Sequence, residues 1–247
     1  MSFDFTTLLV AAALLLAAFT KGTTGMGFPL IATPMVTLLL DIRTAIVILI
    51  IPNIIMDITQ MFRGSLPREI LRRFSWLFVL TVVGVFLGTS VLVVLPIWLL
   101  NLFLGIMVLL FVTSNAFQVH FRVSPSIETL VSPVAGLVGG FLNGMTNAAG
   151  PAVAIYLYSL GLDKREFIKS ISTIFMITKV SQLIAISTWN LFTFERLTLS
   201  LGVTLFVLVG FYVGLKTQDR VSQKTFNRVL MILLFFVGMA LIYRALR

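Results

Sequence analysis

The sequence predicts an all-α, polytopic membrane protein made of two inverted repeats. Each repeat is a glycine-broken, re-entrant-like helix pair followed by three transmembrane helices. Three observations predict this class: the chain is too apolar for water, its polar breaks recur at a fixed offset, and its basic residues gather on one side. Of 247 residues, 59% are hydrophobic and 11% charged, and the mean hydropathy is +1.09. Soluble domains carry about 45–50% and about 25%, so the surplus Leu, Ile, Val and Phe needs lipid as its solvent.

Apolar segments fall near 5–20, 25–40, 44–62, 74–94, 97–118, 128–142, 148–162, 166–189, 197–215 and 229–243. A full crossing takes about 20 residues, which 44–62, 74–94, 97–118, 166–189 and 197–215 supply. The pairs 5–20 with 25–40 and 128–142 with 148–162 are mostly shorter and meet at glycine-rich breaks. Broken backbone survives in hydrocarbon only inside protein or against a water-filled cavity. The opening "MSFDF" carries Asp4 and no basic residue, so the first segment reads as retained rather than as a cleaved leader.

Lysine and arginine decide how each pair is threaded. If each pair returns to the side it entered from, twelve basic residues share one side: Arg63, Arg68, Arg72, Arg73, Arg122, Lys164, Arg165, Lys169, Lys216, Arg220, Lys224 and Arg228. Only Arg43, Arg196, Arg244 and Arg247 lie opposite. Single crossings would divide the same residues eight against eight. The positive-inside rule selects the first arrangement, with both termini outside the cytoplasm.

The polar breaks repeat. At an offset of 122 residues "FTKGTTGMGFP" (19–29) lands without a gap on "FLNGMTNAAGP" (141–151). At the same offset "LDIR" (40–43) meets "LDKR" (162–165) and Gln60 meets Gln182. After a four-residue insertion, Gly84, Gly88 and Asn101 meet Gly210, Gly214 and Asn227. The chain therefore divides into 1–122 and 123–247, joined around "HFRVSPS", as one integral membrane domain. An odd number of crossings in each half inverts the second. Inverted repeats with broken helices place a transporter's site where the repeats meet.

Each break ends one helix and starts another, leaving backbone N–H groups without intrahelical partners. Such a helix start is a ready anion site. The expected cradle is Lys21, Gly22, Thr23, Thr24, Gly25 and Gly27, with Asn143, Gly144, Thr146, Asn147 and Gly150 in the second half. Lys21 adds charge where its counterpart Asn143 adds only a donor. Asn53, Asp57 and Gln60 share one helix face, and Lys179 (the counterpart of Asp57) shares another with Gln182. Asp57 is the expected proton-coupling group, with protons as the coupling ion, and Lys179 an anion-holding charge. The structural alternative is a buried Asp57–Lys179 ion pair that fixes packing. For the breaks, the alternative is close helix packing by small residues, the reading adopted for Gly84, Gly88, Gly210 and Gly214. The LDxR turns are expected to anchor helix ends, and His120 to sit at an interface.

Other function classes fit less well. The charge of +9 is spread over short loops, against nucleic-acid binding, and no cysteine is present for thiolate chemistry. An intramembrane protease lacks a second deep carboxylate or a deep histidine, and no metal cluster or nucleotide motif implies a cofactor. The expectation is a transporter of a small anion rather than an enzyme, with a passive channel or a non-transporting scaffold as alternatives.

The segments "KGTTGMGFPLIATP" (21–34) and "GGFLNGMTNAAGPAVAIYLY" (139–158), in two related halves, resemble the TauE/SafE sulfite exporter family over essentially the whole chain. The resemblance implies a secondary transporter, exporting sulfite, a sulfonate or a related organosulfur anion across a bacterial inner membrane by alternating access.

Overall fold

A computed structural model describes residues 5–63, 68–116, 124–147, 150–217 and 223–247. They form eleven helices: α1 (Phe5–Thr24), α2 (Phe28–Thr37), α3 (Ile42–Met61), α4 (Arg68–Arg73), α5 (Ser75–Val94), α6 (Ile97–Ala116), α7 (Pro125–Thr146), α8 (Gly150–Ser159), α9 (Lys164–Thr188), α10 (Phe194–Thr217) and α11 (Gln223–Leu246). No strand occurs among the described residues. Ala148 and Ala149 of the second break, His120, Arg122 and Arg220 lie outside them.

Among the described residues, five helical stretches are long and apolar enough to cross a membrane: Ile42–Met61, Ser75–Val94, Ile127–Thr146, Arg165–Thr188 and Phe194–Thr217. The segment expected at 128–142 is thus longer than anticipated, because α7 begins at Pro125 and runs on through Gly144. In the same way α1 runs on through Gly22. Within the breaks, the described residues with left-handed backbone are Gly25 (φ 84°) and Gly27 (φ 101°), and Asn147 (φ 63°), which aligns with Gly25 at the 122-residue offset. Left-handed backbone of that kind suits glycine and, less well, asparagine. The helix α4, six residues with no buried side chain, has no counterpart among the apolar segments.

The helix ends follow from their sequences. Asp41 caps α3 by accepting from the Thr44 amide at 3.0 Å, and Asp163 caps α9 by accepting from the Glu166 amide at 2.8 Å. Arg43 donates to the carbonyls of Leu92, Val93 and Leu95 at the end of α5 at 2.7–3.0 Å, so the first LDxR turn anchors two helices. Pro29 opens α2, where its missing N–H is no loss. Pro52 lies inside α3 and leaves the Ile48 carbonyl without its usual donor; the Ser200 hydroxyl of α10 supplies one at 2.7 Å.

Helix α1 packs on α10, α7 on α5, α3 on α9 and α10, α9 also on α5, and α6 on α11. Gln60 meets Ser172 near one end of the α3–α9 contact, and Val47 and Ile50 meet Ile186 near the other. The two helices therefore run antiparallel. The end of α1 lies beside the last third of α3, since Lys21 reaches Asp57, and the chain regains the start of α3 by returning along α2. Trp76, Val94, Leu205, Val209 and Phe236 are among the many large apolar side chains left on the outside, a surface suited to lipid rather than water.

Candidate functional site: two buried polar half-sites

Among the described residues the fully buried charged side chains are Lys21, Asp57 and Lys179, each with zero exposure. Lys21 Nζ donates to Asp57 Oδ1 at 2.6 Å and lies 5.4 Å from the centre of the Phe175 ring, within cation–π range. The structural alternative of an Asp57–Lys179 pair is thus replaced by a Lys21–Asp57 pair. The end of α1 lies against the face of α3 that carries Asp57, so the carboxylate finds its cation within its own half of the chain. Lys179 Nζ instead donates to three side-chain carbonyl oxygens, those of Asn143 at 2.8 Å, Gln182 at 3.0 Å and Asn147.

The same bonds occur at the same offsets in both halves. Lys21 and Asp57 are 36 positions apart, as are Asn143 and Lys179. Gln60 Nε2 donates to the Lys21 and Gly22 carbonyls at 2.7 and 3.4 Å. Gln182 Nε2 donates to the Asn143 and Gly144 carbonyls at 3.1 and 3.4 Å. Each glutamine thus takes up carbonyls near the end of a helix that stops inside the protein. Two bonds join the halves here: Asn147 Nδ2 donates to Thr33 Oγ1 at 2.8 Å, and Ser172 Oγ to Gln60 Oε1 at 3.2 Å.

The glycines and threonines divide by role. A methyl group built on Gly22 would land on the Phe211 carbonyl of α10, and one on Gly144 on the Val85 carbonyl of α5. At both, the missing side chain admits a neighbouring helix, as it also does at Gly88 and Gly214. Gly25 packs on Ile168, Gly27 beside Thr20, and Gly150 opens α8. The hydroxyls of Thr23, Thr24 and Thr146 each donate to a nearby backbone carbonyl, Thr23 to Thr20, Thr24 to Thr20 or Met26, and Thr146 to Leu142. Their single hydroxyl protons are therefore already committed.

Asn53 is fully buried and donates Nδ2 to the Leu49 carbonyl at 2.9 Å. Its Oδ1, and Oδ2 of Asp57 one turn further along, have no donor among the described residues. Thr33, Ser172 and Phe175 are site neighbours that the sequence reading missed. For Ser172 and Phe175 the signal was present, since both fall on the α9 face of Lys179 and Gln182 at helical spacing. For Thr33 none was.

The profile of the sulfite exporter TauE/SafE family matches residues 10–241. No curated protein and no solved structure matches the chain. A match over most of the chain, falling on a multi-helix apolar protein with lysines buried at its centre, places this chain in the sulfite exporter TauE/SafE family of membrane transporters for small sulfur anions.

Proposed function

We propose that the protein is a secondary transporter that exports a small, oxygen-rich sulfur anion such as sulfite or a sulfonate across a bacterial inner membrane, linked to protons and working by alternating access. The observation that carries this reading is the buried charge. Among the described residues the fully buried ionisable side chains are two lysines and one aspartate, one basic group more than acidic. Among the described residues Lys179 Nζ donates only to neutral amide oxygens. An uncompensated charge in hydrocarbon is expensive, and a bound monoanion would neutralise it.

In this reading the anion sits where the two breaks meet. The first-turn amides of α2 and the N–H groups of Lys21 serve as donors, because the threonine hydroxyls are taken. Lys179 supplies long-range charge, and Gln60 and Gln182 keep the ends of α1 and α7 in place. Asp57 takes the coupling proton on Oδ2. The halves 1–122 and 123–247 act as inverted repeats, a division supported by the antiparallel α3 and α9 and by the matched packing of α1 on α10 and α7 on α5. Complete burial of the three charges favours a carrier that exposes its site in turn over an open channel.

Flux in liposomes tests this. Saturable uptake of sulfite and of a simple sulfonate, accelerated by a pH gradient, is expected, with counterflow that a channel would lack. Lys21→Ala should abolish uptake, and Asp57→Asn should remove its dependence on the gradient. Folded protein that moves neither anion would end the proposal.

A further inference from the structure

The unmet hydrogen-bonding groups at the centre of the protein specify more than an anion. At the second half-site the ammonium is saturated. The three N–H groups of an ammonium are all that Lys179 has, and all three are taken by Asn143, Asn147 and Gln182. The amide groups around it are partly committed. Asn143 Nδ2 donates to Gln182 Oε1 at 3.2 Å, Asn147 Nδ2 to Thr33, and Gln182 Nε2 to the Asn143 and Gly144 carbonyls. This half offers a ligand no ammonium N–H, and of its amides only one N–H each on Asn143 and Asn147 has no acceptor among the described residues.

The first half-site is open in both senses. Lys21 has three N–H groups and one oxygen partner among the described residues, Asp57. On the α3 face that Lys21 meets at Asp57 lie two fully buried oxygens with no donor among the described residues, Asn53 Oδ1 and Asp57 Oδ2, one helical turn apart. Each such orphan has given up its hydrogen bonds to water and gained none in return. A bare oxyanion would satisfy Lys21 but turn its own lone pairs toward those two oxygens. A ligand that accepts at one end and donates at the other satisfies all of them. The charge count narrows the class further: with both lysines protonated and Asp57 ionised, a monoanion neutralises the one net positive charge, whereas a dianion would leave a negative charge in a low-dielectric interior.

We propose that this half-site takes a singly charged oxyanion carrying its own O–H or N–H donor, gripped between the Lys21 ammonium and the unpartnered oxygens of Asn53 and Asp57. Hydrogen sulfite and the hydroxysulfonates belong to this class; sulfate and the plain alkylsulfonates carry no such donor and are expected to bind more weakly. The proposal rests on the anion-transport reading. It also gives the proton link a physical form, because a ligand donor and a coupling proton compete for the same carboxylate oxygen.

Three probes decide it on the purified full-length protein by calorimetric titration: hydroxyethanesulfonate, propanesulfonate and sulfate. The first two share charge and approximate size and differ in a terminal hydroxyl against a methyl. A hydrogen bond to a charged acceptor predicts that hydroxyethanesulfonate binds about tenfold tighter or more than propanesulfonate, and tighter than sulfate by a similar factor. In Asn53→Leu, checked for folding by its melting transition, the preference for the hydroxyl should fall to about threefold or less. The wild-type comparison stands alone if that variant does not fold. Equal affinity for the two monoanions, sulfate binding as tightly as either, or a preference undiminished in folded Asn53→Leu would overturn the proposal while leaving the anion site standing. Binding of none of the three would overturn both.

Discussion

Lys21 and Asp57 show what a single pairing does in a medium without water. Removing one member leaves the other charged, buried and alone, at a cost of roughly 3–5 kcal/mol, whereas replacing both by apolar side chains of similar size is often neutral or better. Lys21→Ala is therefore expected to lower the melting temperature in detergent substantially. Lys21→Met combined with Asp57→Leu should recover most of it without recovering anion flux. A double variant as unstable as the single one would show that the unpaired carboxylate is not the cause. The sequence made the burial of these residues legible, since ionisable side chains in an apolar run have few places to go. It did not reveal the partner. Helical spacing says which residues share a face but not which helix lies against that face, and the counterpart relation between Asp57 and Lys179 drew attention to the wrong lysine.

At the level of the helix, one residue type serves two purposes that a sequence does not separate. Gly25 and Gly27 turn the chain with positive φ, whereas Gly22 and Gly144 stay helical and admit the backbone of α10 and α5. The motif around residues 22–27 therefore reads as one break, although its first half is the last turn of α1. The difference is measurable. Gly22→Ala forces a methyl into the Phe211 carbonyl and should destabilise by about 1–3 kcal/mol, as overpacking does. Gly202→Ala meets open space in α10 and should be neutral or stabilising by up to about 1 kcal/mol. Urea or thermal unfolding in detergent distinguishes the two, and equal effects would show that Gly22 is not a contact position. Helix ends were more legible, because Asp41 and Asp163 sit where an N-cap should and both accept the expected amide.

For the whole molecule, the positions of the spans were legible from hydropathy, and most expected segments correspond to helices to within a few residues. What hydropathy does not carry is adjacency, since lipid-facing and protein-facing apolar residues look alike. The proposed orientation puts the loops with Arg68, Arg165 and Lys216 on the cytoplasmic side. The chain has no cysteine of its own, so cysteines placed at those three exposed positions are expected to react with an impermeant thiol reagent only in inside-out vesicles. Labelling of Arg165→Cys from the outer face would overturn the re-entrant arrangement.

The leaning of α1 on α10, and of α7 on α5, also sets an order in time. The seat for Gly22 is the backbone of Phe211 and Leu215, a stretch that leaves the ribosome only when most of the chain has already been made. Gly84 and Gly88 wait in the same way for Leu137 and Phe141. The first half is not complete when its own last helix has entered the membrane. The bilayer must hold a half-made protein whose first helix rests on α2 and the end of α3 but lacks α10 until nearly the last helix arrives.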